Sequence, residues 1–323
     1  MKDLRILPQL LLIGVVSVCV LACGPDETPQ EPRLQVRLLT SVALSGRWEK
    51  AAERGLGLIA SEFDAEVART RASGTGEART RLQRLGRQGT DLVFCVGPDV
   101  ESLVYTEASA FPDTIFIVIP GEIYSGNVGG VVFTPEEAGY LAGAVAASVA
   151  DESPVGLLRG AGRPWLEQLE AGFVAGYRSS LGDAEVIAAD GPDGPWELIG
   201  AGVEVALYSS DRVDRQVLAA VHDAGLYLVG ADPELLEAEP DFVVAAVEVD
   251  VAEAMLRIAR EVNDRTFTGK VFAFDLGSGV LDVILNPGLA LQNQNSDPQE
   301  ALERARSEIT AGWVEIEELG IGL

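Results

Sequence analysis

Ile115-Phe116-Ile117-Val118-Ile119 and, after residues 120–126, Asn127-Val128-Gly129-Gly130-Val131-Val132-Phe133-Thr134-Pro135-Glu136-Glu137-Ala138-Gly139-Tyr140-Leu141-Ala142-Gly143 are the residues from which the fold class is read. Two short apolar, β-rich runs are followed by every signal of a helix start. Thr134 stands where a cap belongs, Pro135 suits the first turn, and Glu136 and Glu137 face the positive end of the helix dipole. The helix is expected to run to about Ala150, and its small residues suit close packing. Strand, strand, helix is one step of a βαβ pattern, which implies a parallel sheet.

The same alternation extends in both directions. Upstream, strands are expected at Gln35–Leu39, Glu66–Arg69 and Leu92–Val96, with helices near Arg47–Phe63, Gly76–Arg87 and Asp99–Ala110. Downstream, strands are expected at Val155–Leu158, Glu185–Ala188, Val203–Tyr208, Leu226–Val229 and Phe242–Val247, with helices at Trp165–Ser179 and Asp214–Ala224. A helical Asp250–Val262, an extended Val271–Phe274, a hairpin-like Gly279–Leu285 and a helix at Pro298–Ala311 remain. The reading is therefore α/β, in two sets of comparable size.

Residues ahead of Leu34 read as an address. Lys2 and Arg5 precede the apolar run Ile6–Val20, which is shorter than the roughly 20 residues a bilayer-spanning helix needs and suits a signal-peptide core. Val20-Leu21-Ala22-Cys23 resembles the lipobox of bacterial lipoproteins, in which the cysteine sulfur is acylated before cleavage. Gly24–Pro32 is polar and proline-rich, as a tether would be.

Charge and composition exclude more than they identify. Fifty acidic residues against 24 basic ones give a formal charge of -26, so polyanions are repelled and no nucleic acid is expected as a partner. Removal of residues 1–22 takes away Lys2, Arg5 and Asp3, a net +1, and leaves -27 on the remainder. His222 is the single histidine, which removes Ser-His-Asp triads and histidine-rich metal cages. Cys95, inside Leu92–Val96, reads as a small buried hydrophobe. Gly160-Ala161-Gly162-Arg163-Pro164-Trp165 lacks the third glycine of a dinucleotide fingerprint, and Thr268-Gly269-Lys270 lacks the frame of a P-loop. Gly277-Ser278-Gly279 has no nucleophile-elbow frame. No enzyme, no cofactor and no metal site are expected.

The block Phe111–Ile119 with Asn127–Gly143 resembles the basic membrane protein family, the purine nucleoside receptor A-like substrate-binding lipoproteins of ABC transporters. Further similarity lies in Val155–Gly160 with Gly172–Gly176, in Val229-Gly230-Ala231-Asp232, and in Ile309–Val314. The resemblance implies a type I periplasmic binding protein: two Rossmann-like lobes with parallel sheets, joined by three crossovers near Asn127–Phe133, Ala246–Asp250 and Val271–Phe274. It also implies the domain limits. Residues 1–22 are a lipoprotein signal peptide, and 23–33 the lipidated Cys23 and tether. An N-terminal lobe takes 34–126 plus 249–271, and a C-terminal lobe 127–248 plus 272–323.

Ligand residues carried over from the family fit in part. An acid expected after the first strand is Ser41 here. The helix after it begins Arg47-Trp48-Glu49, so Trp48 retains an aromatic face for stacking, while Glu49 replaces an asparagine and can only accept hydrogen bonds. Asp232 matches the family's Gly-x-Asp, resembling a ribose-hydroxyl contact, with the second acid displaced to Glu234. The family lysine corresponds to Val249, and an acid after Ile119 is Pro120. Arg163 and Trp165, opening a helix after a strand, are rim candidates, and Trp196 stands where a second stacking aromatic is sought in a shortened 188–203 region. Simpler alternatives remain open: Trp48 can cover the apolar face of its helix, Asp232 can cap the helix after it, and Arg163 can pair with one of many acids.

The expectation is a monomeric, extracytoplasmic solute-binding protein, held at the membrane by its lipid. It would close around a small neutral solute, with nucleosides as default, and deliver it to an ABC permease. The alternative is a surface sensor or interaction lipoprotein that kept the fold without transport.

Overall fold

The computed structural model describes residues 33–41, 44, 46–97, 99–150, 154–161, 164–289 and 297–314, with backbone only for Gly46, Arg47 and Pro164. The expected signal peptide, Cys23, the tether up to Pro32 and Arg163 lie outside the described residues, as does the side chain of Arg47.

The first lobe runs β1 (Gln35–Ser41), α1 (Gly46–Phe63), β2 (Glu66–Ala72), α2 (Thr75–Arg87), β3 (Leu92–Val96), α3 (Glu101–Glu107), β4 (Ile115–Ile119) and β5 (Val128–Phe133). The chain then crosses over. The second lobe holds α4 (Pro135–Val149), β6 (Val155–Arg159), α5 (Pro164–Leu181), β7 (Val186–Asp190), α6 (Gly194–Gly200), β8 (Val205–Ser209), α7 (Arg215–Ala224), β9 (Tyr227–Gly230), α8 (Glu234–Ala238) and β10 (Val243–Val249). A second crossing returns it to the first lobe for α9 (Val251–Asn263) and β11 (Val271–Phe274), and a third leads back to β12 (Leu281–Leu285) and α10 (Pro298–Thr310).

Each lobe is built on a six-stranded sheet, ordered β11-β5-β4-β3-β1-β2 in the first and β12-β10-β9-β8-β6-β7 in the second. Pairing is parallel except for β12, which runs antiparallel to β10 with Glu248 opposite Asp282. Every residue of β3 and β8 is buried, because helices cover both faces of a parallel sheet. Val36, Leu38 and Phe94 pack toward α1 and α9, while Leu39, Val93 and Cys95 face α2 and α3.

Two lobe boundaries differ from those expected. β5 pairs with β4 and β11 pairs with β5, so residues 128–133 and 272–274 belong to the first lobe rather than the second. The physical anchor is Asn127, whose side-chain amide donates to the carbonyls of Ala108, Phe111 and Thr114 at 3.0, 3.0 and 2.9 Å. Three further differences are local. Thr134 occupies the cap position of α4 without a side-chain cap bond, the 188–203 region folds into α6, and the hairpin-like stretch becomes β12, whose partner is β10.

The three crossings are tied to one another. Thr134 N–H donates to the Phe274 carbonyl at 3.3 Å, and Asp250 N–H to the Val280 carbonyl at 2.7 Å. Leu276 N–H donates to Glu137 Oε2 at 2.8 Å.

Candidate functional site

The carboxyl ends of the parallel strands in both sheets carry the polar and aromatic residues that the sequence singled out. This is the edge at which open α/β sheets bind ligands. On the first lobe, Ser41 ends β1, is buried, and donates from Oγ to Asp99 Oδ2 at 3.2 Å. An acid from the segment after β3 thus lies beside the end of β1. Glu49, in the first turn of α1, faces Arg71 near the end of β2 at 3.4 Å. That pairing directs it to the sheet rather than leaving it to the ligand position inferred from the family.

Trp48 is 6% exposed, and its ring has neighbours on both lobes. It does pack on the apolar core of its own lobe, yet its ring also reaches the other lobe. Its centroid lies 5.9 Å from Phe133 at the end of β5 and 6.4 Å from Trp165 in the first turn of α5, the two indoles nearly perpendicular at 78°. Phe133 stacks in turn on Phe274 of β11 at 6.1 Å. Edge-to-face indoles gain from ring quadrupoles in addition to buried area. The cluster therefore spans the cleft at two of its crossing strands.

On the second lobe, Trp165 Nε1 donates to Asp211 Oδ1 at 3.1 Å. Asp211 and Asp232, which follow β8 and β9, are both buried. Ser209 Oγ, at the end of β8, is buried with no hydrogen-bond partner among the described residues. Asp232 Oδ1 accepts from Glu234 N–H at 2.8 Å, so one of its oxygens serves the start of α8 as the simpler reading had it. Trp196 does not join this group. It is 51% exposed on α6, beside the edge strand β7.

Next to Trp48 lies a cavity of about 260 Å³ bounded by Trp48, Lys50 and Arg54 of α1, Asp232 and Glu234, and Glu248 at the end of β10. Ion pairs cross it. Lys50 Nζ meets Glu234 Oε1 at 2.8 Å, and Arg54 Nη2 meets Asp250 Oδ1 at 2.7 Å. The hydrogen bond it donates to Glu234 holds the Lys50 ammonium above its ordinary range. Burial pushes the Glu248 carboxyl upward, and the neighbouring Asp250 and Asp282 add to this against the pull of Arg54. Lys50, Arg54, Glu248, Asp211 and Phe133 were not singled out from the sequence. Only Phe133 carried a signal, as the last residue of an expected crossover strand.

Metal and thiol chemistry find no support in these groups. Among the described residues no three His, Cys, Asp or Glu side chains are arranged to hold a metal ion. Burial raises the Cys95 thiol to about 12, which leaves it un-ionised at neutral pH. Among the described residues no helix is long and apolar enough to cross a membrane.

Two sheets, three crossings and a cleft at the carboxyl edges define a type I periplasmic binding protein fold. The ABC transporter solute-binding protein of Conexibacter woesei superposes with a TM-score of 0.71 at 18% identity, over 87% of this chain and 98% of that one. A transcriptional activator of the comK gene from Bacillus halodurans superposes with a TM-score of 0.72 at 21% identity, over 90% and 99%.

The family model described as ABC transporter substrate-binding protein PnrA-like, Bmp, matches residues 44–191, which bears out the resemblance read from the sequence. Basic membrane protein A of Borreliella burgdorferi is 24% identical over 86% of this chain and 87% of its own. Transcriptional activator protein med of Bacillus subtilis is 22% identical over 84% and 89%. The ABC transporter nucleoside-binding protein BmpA of Lactococcus lactis is 23% identical over 73% and 74%. The matched family model is one of ABC transporter substrate-binding proteins.

Proposed function

We propose that this protein is a lipid-anchored solute receptor that closes its lobes around a small neutral solute, nucleosides first, and delivers it to an ABC permease. The carrying observation is the Trp48–Trp165 contact, one indole from each lobe, beside a cavity with polar groups from both. A planar solute entering there would part the two rings and take hydrogen bonds from the ends of β8 to β10. In this reading Trp165, rather than Trp196, is the second aromatic wall. Asp232 and Ser41 orient the solute, Glu49 and Arg71 brace the first turn of α1, and Arg47 and Arg163 are retained as ligand candidates from the sequence. The nucleoside preference draws on the name of the Lactococcus relative.

The anchor would be a thioether at Cys23, exposed on cleavage of residues 1–22. Radiolabelled palmitate should enter the wild-type chain in cells and be absent from Cys23→Ser; equal labelling of both would end that part. For binding, mass spectrometry of small molecules released on denaturation should yield a nucleoside. Small-angle scattering should show contraction when that compound is returned, and no contraction with any solute would sink the receptor reading.

A second reading is favoured by the two transcriptional activators among the similar proteins, in which the fold serves signalling without transport. It predicts ligand binding with no effect of a permease deletion on uptake.

A further inference from the structure

Glu248 stands apart from the other acids around the cavity. Asp232 accepts from Glu234 N–H, Glu234 holds Lys50, Asp250 holds Arg54, and Asp282, opposite Glu248 on β12, holds Arg306 of α10. Glu248 lines the cavity with Trp48, and among the described residues its carboxyl takes part in no hydrogen bond or ion pair. Like charges placed directly opposite on paired strands oppose folding, and Glu248 has Asp282 across the ladder and Asp250 two residues on. Among the described residues only the charge of Arg54, at a distance, offsets this carboxyl, although it is half-buried in the cleft, where an acid without a hydrogen-bond donor is costly. Such a breach of local rules at an otherwise well-satisfied site is the mark of a functional group.

We propose that Glu248 is a specificity-determining residue of the cleft, accepting hydrogen bonds from hydroxyl or amino donors of the solute and excluding solutes that carry a phosphate or carboxylate. The proposal rests on the solute-receptor reading and goes beyond it by fixing the polarity of the ligand. Where the family resemblance implies a lysine, this chain has the uncharged Val249, and the neighbouring Glu248 offers only acceptors in the ionised state. Among the described residues, the charged groups facing the cavity and strand at this point are Lys50 and Arg54 of α1, Asp232 and Glu234 beyond β9, Asp250 at the cap of α9, and Asp282 with its partner Arg306. Lys50 and Arg54, the cations that line the cavity, are already paired with acids, so a donor group on the solute is what we expect to meet Glu248. Because its neighbours favour the neutral acid, the solute's donors must draw out its ionisation. Affinity is therefore low in acid and rises with pH until Glu248 is ionised without ligand.

The test is calorimetric titration of the full chain in detergent with adenosine, adenosine 5′-monophosphate and 5′-amino-5′-deoxyadenosine, from pH 5 to pH 8. Wild type should bind adenosine and the amino analogue, and bind the monophosphate at least about tenfold more weakly. Glu248→Gln should weaken the first two about tenfold, flatten the pH dependence and narrow the gap to the monophosphate. Wild-type affinity and pH profile in Glu248→Gln would overturn the proposal, as would a monophosphate bound as tightly as adenosine. If Glu248→Gln does not fold, Glu248→Asp, which keeps the charge on a shorter stem, should lose affinity about threefold or more, and unchanged binding would again overturn it. If wild type binds none of the three compounds, the nucleoside-receptor reading falls and this inference with it. Binding that ignores position 248 removes the inference alone.

Discussion

The two lobes share a strand order, apart from the direction of the last strand, and differ in how their helices pack. In the second, α4 and α5 meet backbone to backbone: a Cβ on Gly143 would lie 2.0 Å from the Phe173 carbonyl oxygen, and one on Gly176 1.9 Å from that of Tyr140. In the first, α1 and α9 meet mainly through side chains, Leu56 and Ile59 against Met255 and Ile258, with one closer approach at Gly55, where a Cβ would lie 3.2 Å from the Ala252 Cα, and the ion pair Arg260–Glu62 at the rim. A glycine seam has no slack, whereas a seam of flexible aliphatic chains can shift. It is the adaptable helix α1 that carries Trp48, Lys50 and Arg54 to the cleft, and the rigid pair that fixes Trp165.

The largest effect should come from the rigid seam. Gly176→Leu must push the helices apart and is expected to prevent folding of the second lobe, read as loss of cooperative thermal unfolding. A normal transition would show that the seam is looser than described. Next is Trp48→Ala, which empties a large buried site shared by both lobes. It should destabilise by about 3–5 kcal/mol on the scale of buried aromatic truncations. It should also abolish solute binding, whereas Trp196→Ala should leave both near wild type.

Smaller effects belong to the exposed rim. Glu77, in the first turn of α2, accepts from Ser73 N–H at 2.8 Å and from its hydroxyl, and these bonds with the Arg81 pair lower its carboxyl to about 2. A depressed folded-state value means the stabilisation is present above the ordinary glutamate range and is lost as pH falls from about 4.5 toward about 2. Thermal midpoints of wild type and Glu77→Gln should thus differ at pH 6 and converge at pH 2. A gap that persists at pH 2 would refute this. The least change is expected from Arg260→Ala, because exposed ion pairs add little; a large drop in midpoint would mean that the first seam is held by charge rather than by side-chain packing.

Elements and class were legible in the sequence because β3, β4 and β5 are apolar and bounded by turn residues, and because Pro135-Glu136-Glu137 marks a helix start. Sheet membership was less so. An apolar run does not say which sheet it joins, and the amide of Asn127 that ties β5 to the first lobe reads in sequence as an ordinary turn residue. At the site, Trp48 and Asp232 were found through resemblance, and Trp165 through its place after a strand. Trp196 was a candidate for its aromatic type alone, and the depth of α6 in the fold is set by long-range packing. Glu248 was hidden among fifty acids. Its distinction is the absence of a partner, which only coordinates reveal.

The bonds among the three crossings limit how the lobes can move. The third crossing is stitched to the first through Thr134–Phe274 and Glu137–Leu276, and to the second through Asp250–Val280. A bundle of cross-linked ribbons resists sliding and wringing far more than it resists flexing. In the proposed receptor the lobes would therefore move along one soft coordinate, as in a page folding along its crease, and thermal agitation would be channelled into the single motion that changes the spacing of the two indoles.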